Sequence, residues 1–321
     1  MLYPLKLTAT FKDYLWGGTR LRDEFNKHTN IDPVAESWEL SCHHDGQSII
    51  NNGSFSGKTL SQYIETIGKQ VIGTKAPQDK DFPILIKFID AKQNLSVQVH
   101  PDDNYALLHE GESGKTEMWY VIDAEKNATL IYGFNKDISH QEFERRIKDN
   151  TLLEVCNQVP IKKGDVFFIE AGTLHAISAG ALIAEIQQSS NSTYRVYDYG
   201  RVDKNGKPRD LHIEKALAVT KLNSMAKEPK PLARLTVFPN FEVTILAQCN
   251  LFNVCLFNLH GNCSLNATKD SFHSILALNG DFALRYNNET LEIHKGDSIF
   301  IPANMGAYCL EGTGEFILTT L

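Results

Sequence analysis

Alternation of apolar and polar residues dominates this chain. Between positions 95 and 100, Leu95, Val97 and Val99 alternate with Ser96, Gln98 and His100, which predicts a strand with one oily and one polar face. Further strand-like runs, short and rich in β-branched or aromatic residues, cover 83–90, 117–124, 129–134, 165–170, 181–188, 241–248, 274–286 and 297–303. Gly, Asp, Asn and Pro separate them, the punctuation of a sandwich or barrel. Helical spacing is rarer. Leu60, Ile64, Ile67 and Val71 form a stripe in 59–73, and 139–149 opens with Ser139 and Glu142 in capping-box spacing. A third helix is expected over 210–222, with Asp210 as its cap. The pattern predicts a mainly β protein with a few peripheral helices.

One internal echo refines this picture. Residues 162–177 (KKGDVFFIEAGTLHAI) align without gaps to 294–309 (HKGDSIFIPANMGAYC), with Gly164 on Gly296, Asp165 on Asp297 and Phe168-Ile169 on Phe300-Ile301. His175 falls opposite Ala307, so the imidazole occurs in one copy alone. A Pro/Lys-rich stretch, 226–241, reads as the link between a larger first unit (1–235) and a smaller second one (236–321). Two related barrels are expected, the first carrying a site and the second, degenerate one serving as scaffold.

Composition narrows the function classes. The formal charge of -7 and the lack of any Lys/Arg block argue against nucleic-acid binding. No apolar segment is long enough to span a bilayer, and the opening MLYPLKLTAT has no signal-peptide pattern, so a cytoplasmic location is expected. The 6 cysteines form no C-x-x-C pair and read as reduced, mostly buried thiols.

Candidate chemistry gathers on the polar strand faces. Ser96, Gln98 and His100 would share one side of a strand, Glu117 opens the strand after the turn EGESGKTE, and His175 ends the Gly-Asp unit. Two imidazoles, a carboxylate and a weaker amide suit zinc or another divalent ion with positions left open for substrate. On the residues alone, scattered barrel positions remain the commoner outcome for ligands so far apart in sequence. The pair His43-His44 beside Asp45-Gly46 reads as a surface loop, and Trp16 and Trp38 as core. Arg195 and Arg201 flank a Tyr-rich run and, if they line a pocket, suit a phosphate group.

In order along the chain, LWGGTRLRDEF, ESWELSCHHDG, VQVHPDD, GKTEMWYVI, KKGDVFFIEAGTLHAI and STYRVYDYGR resemble the cupin-fold type I phosphomannose isomerases in their short bacterial form. The resemblance implies one zinc ion per chain, with ligands at Gln98, His100, Glu117 and His175. It places Glu36, Ser96 and Lys115 in the substrate pocket and makes Arg195 the active-site arginine. The implied reaction interconverts mannose 6-phosphate and fructose 6-phosphate through an enediol or enediolate. Glu36, Lys115 and Arg195 are then the catalytic candidates, while Ser96 and Arg201 bind the sugar phosphate. Two positions depart from the family pattern: Glu170 stands where Pro is frequent, and Asn191 where an acid often precedes the arginine by four residues. Two other readings stay open, a catalytically silent sugar-phosphate-binding cupin and an iron-dependent cupin dioxygenase. The partner expected is a small sugar phosphate, and the sequence leaves the oligomeric state open.

Overall fold

The structure is a computed structural model that describes residues 2–77, 81–202, 206–225 and 235–321. The chain is mainly β. A six-stranded sheet has, in spatial order, Val166–Ile169, Glu117–Ala124, Ala181–Gln188, Ile84–Ala91, Glu36–Leu40 and Thr10–Lys12. A five-stranded sheet has the order Cys156–Pro160, Thr129–Phe134, His175–Ile177, Val97–Val99 and Tyr194–Tyr197. Side chains of both sheets meet in one core, where Ile89, Trp119, Val121, Phe167 and Ile183 pack with Leu130, Val159 and Ile177. This is sheet-on-sheet packing, with the inner faces sharing one hydrophobic layer.

Seven C-terminal strands and two N-terminal ones, Leu5–Thr8 and Ile49–Ile50, form a nine-stranded sheet packed on its own core of Phe257, Phe282, Leu284, Ile293 and Phe316. The N-terminal strand Leu5–Thr8 pairs with Ser298–Ile301 of that sheet. A third core, with Ile84, Ile86, Met118 and Ile186 on one side and Phe252, Leu276 and Phe300 on the other, fuses the two halves. The six-stranded sheet is therefore covered on both faces. For this reason Ile84–Ala91 and Ala181–Gln188 are buried at every position, and read as continuous apolar runs rather than alternation.

Most sequence-predicted strands lie within a residue or two of their expected bounds, and those over 117–124, 129–134, 181–188 and 241–248 coincide with them. The repeated unit is real. Gly164 (φ 90°) and Gly296 (φ 91°) take the same left-handed turn conformation ahead of Val166–Ile169 and Ser298–Ile301. The helices are shorter than expected. Leu60–Ile67 stops at Gly68, whose φ of 107° leaves the helical region, and a 3-10 turn, Lys69–Ile72, follows. The helix His140–Lys148 is capped by the Ser139 hydroxyl, which accepts from the Glu142 amide. The last helix is Ile213–Val219, preceded by His212; Asp210 is not its cap, because the Leu211-His212 backbone is still outside the helix. Of the predicted link, 226–234 lies outside the described residues, while Leu235–Phe238 is an exposed edge strand. All 6 cysteines are free, with only Cys156 and Cys263 buried. Among the described residues no helix is long and apolar enough to cross a membrane.

Candidate active site

Register brings the polar residues together. In the five-stranded sheet Gln98 is the direct partner of His175 on one side and of Arg195 on the other. Val97 and Val99, fully buried, face the outer core, so Ser96 and Gln98 turn to the interior between the sheets. The opposite wall is a row across the six-stranded sheet: Trp38 pairs with Lys87, Lys87 with Glu185, and Glu185 with Trp119. Two tight turns complete the site. At Gly114 a Cβ would lie 2.4 Å from the Asp103 amide nitrogen, and at Gly172 2.8 Å from the Val219 carbonyl. Only glycine lets the turn carrying Lys115 and Glu117, and the one leading to His175, lie so close to neighbouring backbone.

His100, Glu117 and His175 converge, with one ligand atom from each lying within 4.8 Å of the others, and all three are buried. His100 Nε2 is 3.1 Å from His175 Nε2 and 3.6 Å from Glu117 Oε2, and His175 Nε2 is 3.4 Å from Glu117 Oε1. The Nδ1 atoms lie 2.8 Å from main-chain carbonyls, of Ser192 for His100 and of Thr173 for His175. A carbonyl only accepts, so both Nδ1 atoms carry the proton and both Nε2 lone pairs face inward. Burial, with the Lys115 ammonium and the other imidazole, holds His100 well below the usual histidine value. Burial likewise brings His175 down to about 4, keeping the imidazoles neutral. Burial and the nearby Glu185 push Glu117 up.

This donor set fits a divalent cation. Two neutral lone pairs aimed at each other 3.1 Å apart repel unless a positive charge lies beside them, and Glu117 Oε1 is buried without a hydrogen-bond partner. The Lys115 ammonium meets part of that need, 2.9 Å from His100 Nε2 and 2.6 Å from Glu117 Oε2. Gln98 points its amide nitrogen, not its oxygen, at His175 Nε2 (3.4 Å).

In front of this cluster lies a cavity of about 280 Å³, whose lining includes Glu36, Ser96, Gln98, Lys115 and Arg195. His100, Glu117 and His175 sit behind Gln98 and Lys115. Arg201 is placed otherwise. It does not line the cavity, because its guanidinium is tied to Asp198 and, at 2.5 Å, to the Asn94 carbonyl. Arg209 lines it instead, with Nε 2.8 Å from Asp198 Oδ2. Two arginines thus hold Asp198, and burial together with the nearby Arg209 charge lowers the Arg195 pKa. Arg195 Nε also donates to Ser96 Oγ at 3.3 Å.

Sequence reasoning missed Lys87 and Glu185. Lys87 lies between Glu36 (3.4 Å) and Glu185 (3.5 Å), and their negative charges keep it protonated despite burial. Burial opposes ionisation of Glu185, but Lys115 and Lys87 hold its pKa down. The signal was a charge flanked on both sides by apolar residues, Lys87 in ILIKFI and Glu185 in ALIAEI. Trp16, assigned to the core, also lines the cavity, together with Tyr14, Asn191 and Thr193, whereas Trp38 is buried as expected.

The His43-His44 pair is not a plain surface loop. It sits on a hairpin of Cys42–His43 and Gly46–Gln47, with His43 buried and His44 exposed. These histidines and Glu112 form a second grouping of potential ligands. His43 Nδ1, however, accepts from the Asp45 amide (3.1 Å), so Nε2 carries the proton and is not free to bind a metal.

Comparison with known proteins agrees with this geometry. The sequence model for the phosphomannose isomerase type I catalytic domain matches residues 4–134, and that for the mannose-6-phosphate isomerase cupin domain matches 242–321. The chain is 39% identical to a probable mannose-6-phosphate isomerase, GmuF, of Bacillus subtilis, over 99% of each chain. It is 36% identical to a mannose-6-phosphate isomerase of Streptococcus mutans, covering 99% of this chain and 98% of the other. The crystal structure of the mannose 6-phosphate isomerase from Bacillus subtilis superposes with a TM-score of 0.92 at 35% identity, over 99% of both chains. With relatives of this similarity along its whole length and a buried ligand cluster behind a charged cavity, the chain belongs to the type I phosphomannose isomerase family of enzymes.

Proposed function

We propose that this protein is a zinc-dependent aldose–ketose isomerase that interconverts mannose 6-phosphate and fructose 6-phosphate through an enediol or enediolate. One observation carries the reading: a buried cation-ligand cluster and a set of arginines lie at two sides of the same cavity. A sugar phosphate has the matching polarity, with oxygens at C1 and C2 at one end and a dianion at the other.

His100, Glu117 and His175, with Gln98 after exchange of its amide oxygen and nitrogen, would hold the ion. When bound, a divalent cation supplies Lewis-acid stabilisation of the oxyanion that develops as a proton leaves the carbon next to the carbonyl. The phosphate falls to Arg195 and Arg209, whose forked donors suit a dianion. Arg201 then acts from behind, helping to hold Asp198 against Arg209. Ser96 and Gln98 fill the wall between the two ends, so the sugar is oriented before any proton moves. Glu36 and Glu185 face the cavity as carboxylates able to accept the C2 proton, and a proton returned to C1 completes the balance. The ammonium groups of Lys115 and Lys87 stabilise the oxyanion formed in between.

The test is a coupled assay for fructose 6-phosphate formed from mannose 6-phosphate, before and after chelation and with zinc added back. Activity should vanish with the chelator and return with zinc. His100→Ala and His175→Ala should lose metal and activity together, and Arg195→Ala should lose activity but keep the metal. A folded, zinc-loaded chain that binds the sugar phosphate without turning it over would refute the isomerase reading in favour of a silent binding protein.

A further inference from the structure

The two histidines of the buried cluster are oriented by different means. His175 meets the carbonyl of Thr173, within its own turn, whereas His100 depends on the carbonyl of Ser192, 92 residues away. The direction of the His100 ring is therefore only as definite as the loop Ser190–Ser192 is fixed. Glu112 holds that loop. Its Oε2 accepts from the Ser190 hydroxyl, the Asn191 amide and the Ser192 hydroxyl, each at 3.2 Å. Its Oε1 faces His43 Nε2 at 3.3 Å, the ring nitrogen that carries the proton. The Asn191 side chain adds a tie to Asp45 Oδ2 at 2.7 Å. Glu112 lies in EGESGKTE, the same turn that presents Lys115 and Glu117, so one short segment provides a ligand and braces the partner of another.

We propose that Glu112 is a positioning residue for the metal centre: by collecting three loop donors on one carboxylate oxygen it fixes the Ser192 carbonyl, and through it the tautomer and direction of His100. This rests on the metal-binding part of the proposed function. The chemistry is that of an outer-sphere partner, one step further out than the carbonyl that meets the ring. Without the carboxylate, two hydroxyls and an amide lose their common acceptor and the carbonyl is free to turn from Nδ1.

The experiment measures zinc affinity of the full, metal-stripped chain by competition with a chromophoric chelator, alongside the side-chain nitrogen spectrum of His100. Glu112→Ala should bind zinc about tenfold more weakly and show a mixture of His100 tautomers, with Glu112→Gln intermediate because its amide oxygen still accepts. The pair Ser190→Ala/Ser192→Ala removes two donors from the other side and should weaken zinc in the same direction; it decides the matter if Glu112→Ala does not fold. Zinc affinity within about twofold of the parent chain, or an unchanged His100 tautomer, overturns the proposal. A parent chain that takes up no zinc overturns it together with the metal reading. Weakened zinc binding in a chain that never isomerises the sugar supports this proposal while refuting the isomerase reading.

Discussion

Lys87 offers the sharpest test of the charge arrangement in the cavity wall. It is only 4% exposed, lies over the Trp38 ring with Nζ 4.9 Å from its centroid, and sits within 3.5 Å of carboxylates on both sides. Each carboxylate has a second partner: Trp38 Nε1 donates to Glu36 at 2.7 Å and Trp119 Nε1 to Glu185 at 2.8 Å. The remaining oxygen of Glu185, Oε1, has no hydrogen-bond partner, and Lys87 is its nearer countercharge, Lys115 being 4.0 Å away. Lys87→Met keeps most of the stem but leaves two buried carboxylates short of a positive charge. Breaking a buried pair from one side costs about 3–5 kcal/mol. In a protein of this size that lowers the melting temperature by about 4–7 °C. The assay is thermal unfolding of chelated protein across pH. Without Lys87, the folded-state pKa of Glu185 rises, so the deficit is full where the group would be charged and shrinks as pH falls and it protonates. Lys87→Met/Glu185→Gln should recover much of the loss, since the partner charge is gone too. A melting temperature within about 2 °C of the parent, or a deficit that stays constant from pH 8 to about pH 5, would refute the reasoning.

Further outcomes follow from the same geometry. Arg209→Ala should raise KM for mannose 6-phosphate by roughly 10- to 100-fold, the worth of a charge-assisted hydrogen bond, and Arg201→Ala should raise it less because Arg201 does not line the cavity; steady-state kinetics showing the reverse order would sink the assignment. His273, 2.7 Å from the Tyr308 hydroxyl in the nine-stranded sheet, is brought down to about 4 by burial. Its folded value lies below the unfolded one, so stability should be lost as pH falls from about 6.5 to about 4 and be unaffected by this group above that range. Allowing for its partial exposure the loss is about 2 kcal/mol, and His273→Gln should flatten that limb of the stability curve in denaturant titrations.

The alternation at 95–100 already carried the essential local fact, a polar strand face: in the structure the strand is Val97–Val99, with Ser96 and Gln98 in the cavity wall and His100 behind them. Strand bounds, the capped helix at Ser139 and the repeated Gly-Asp turn were equally legible, because each depends on residues within a few positions of one another. Quoted motifs in order also pointed to the family, and the comparisons show it. What could not be read was pairing across the sheets. Lys87 and Glu185 are 98 positions apart and face each other only because two continuous apolar strands are neighbours in one register. Arg201 and Arg209 are both arginines near a tyrosine run, and only the closing of the backbone around Asp198 decides which reaches the cavity. His43 looked exposed because its neighbour Asp45-Gly46 makes a turn, yet the hairpin folds its ring inward toward Glu112. Local pattern thus determined elements and candidate ligands, since side-chain direction in a strand follows from its period of two. Tertiary packing decided which charges share a low-dielectric space, and it is that sharing which sets their pKa values and their chemistry.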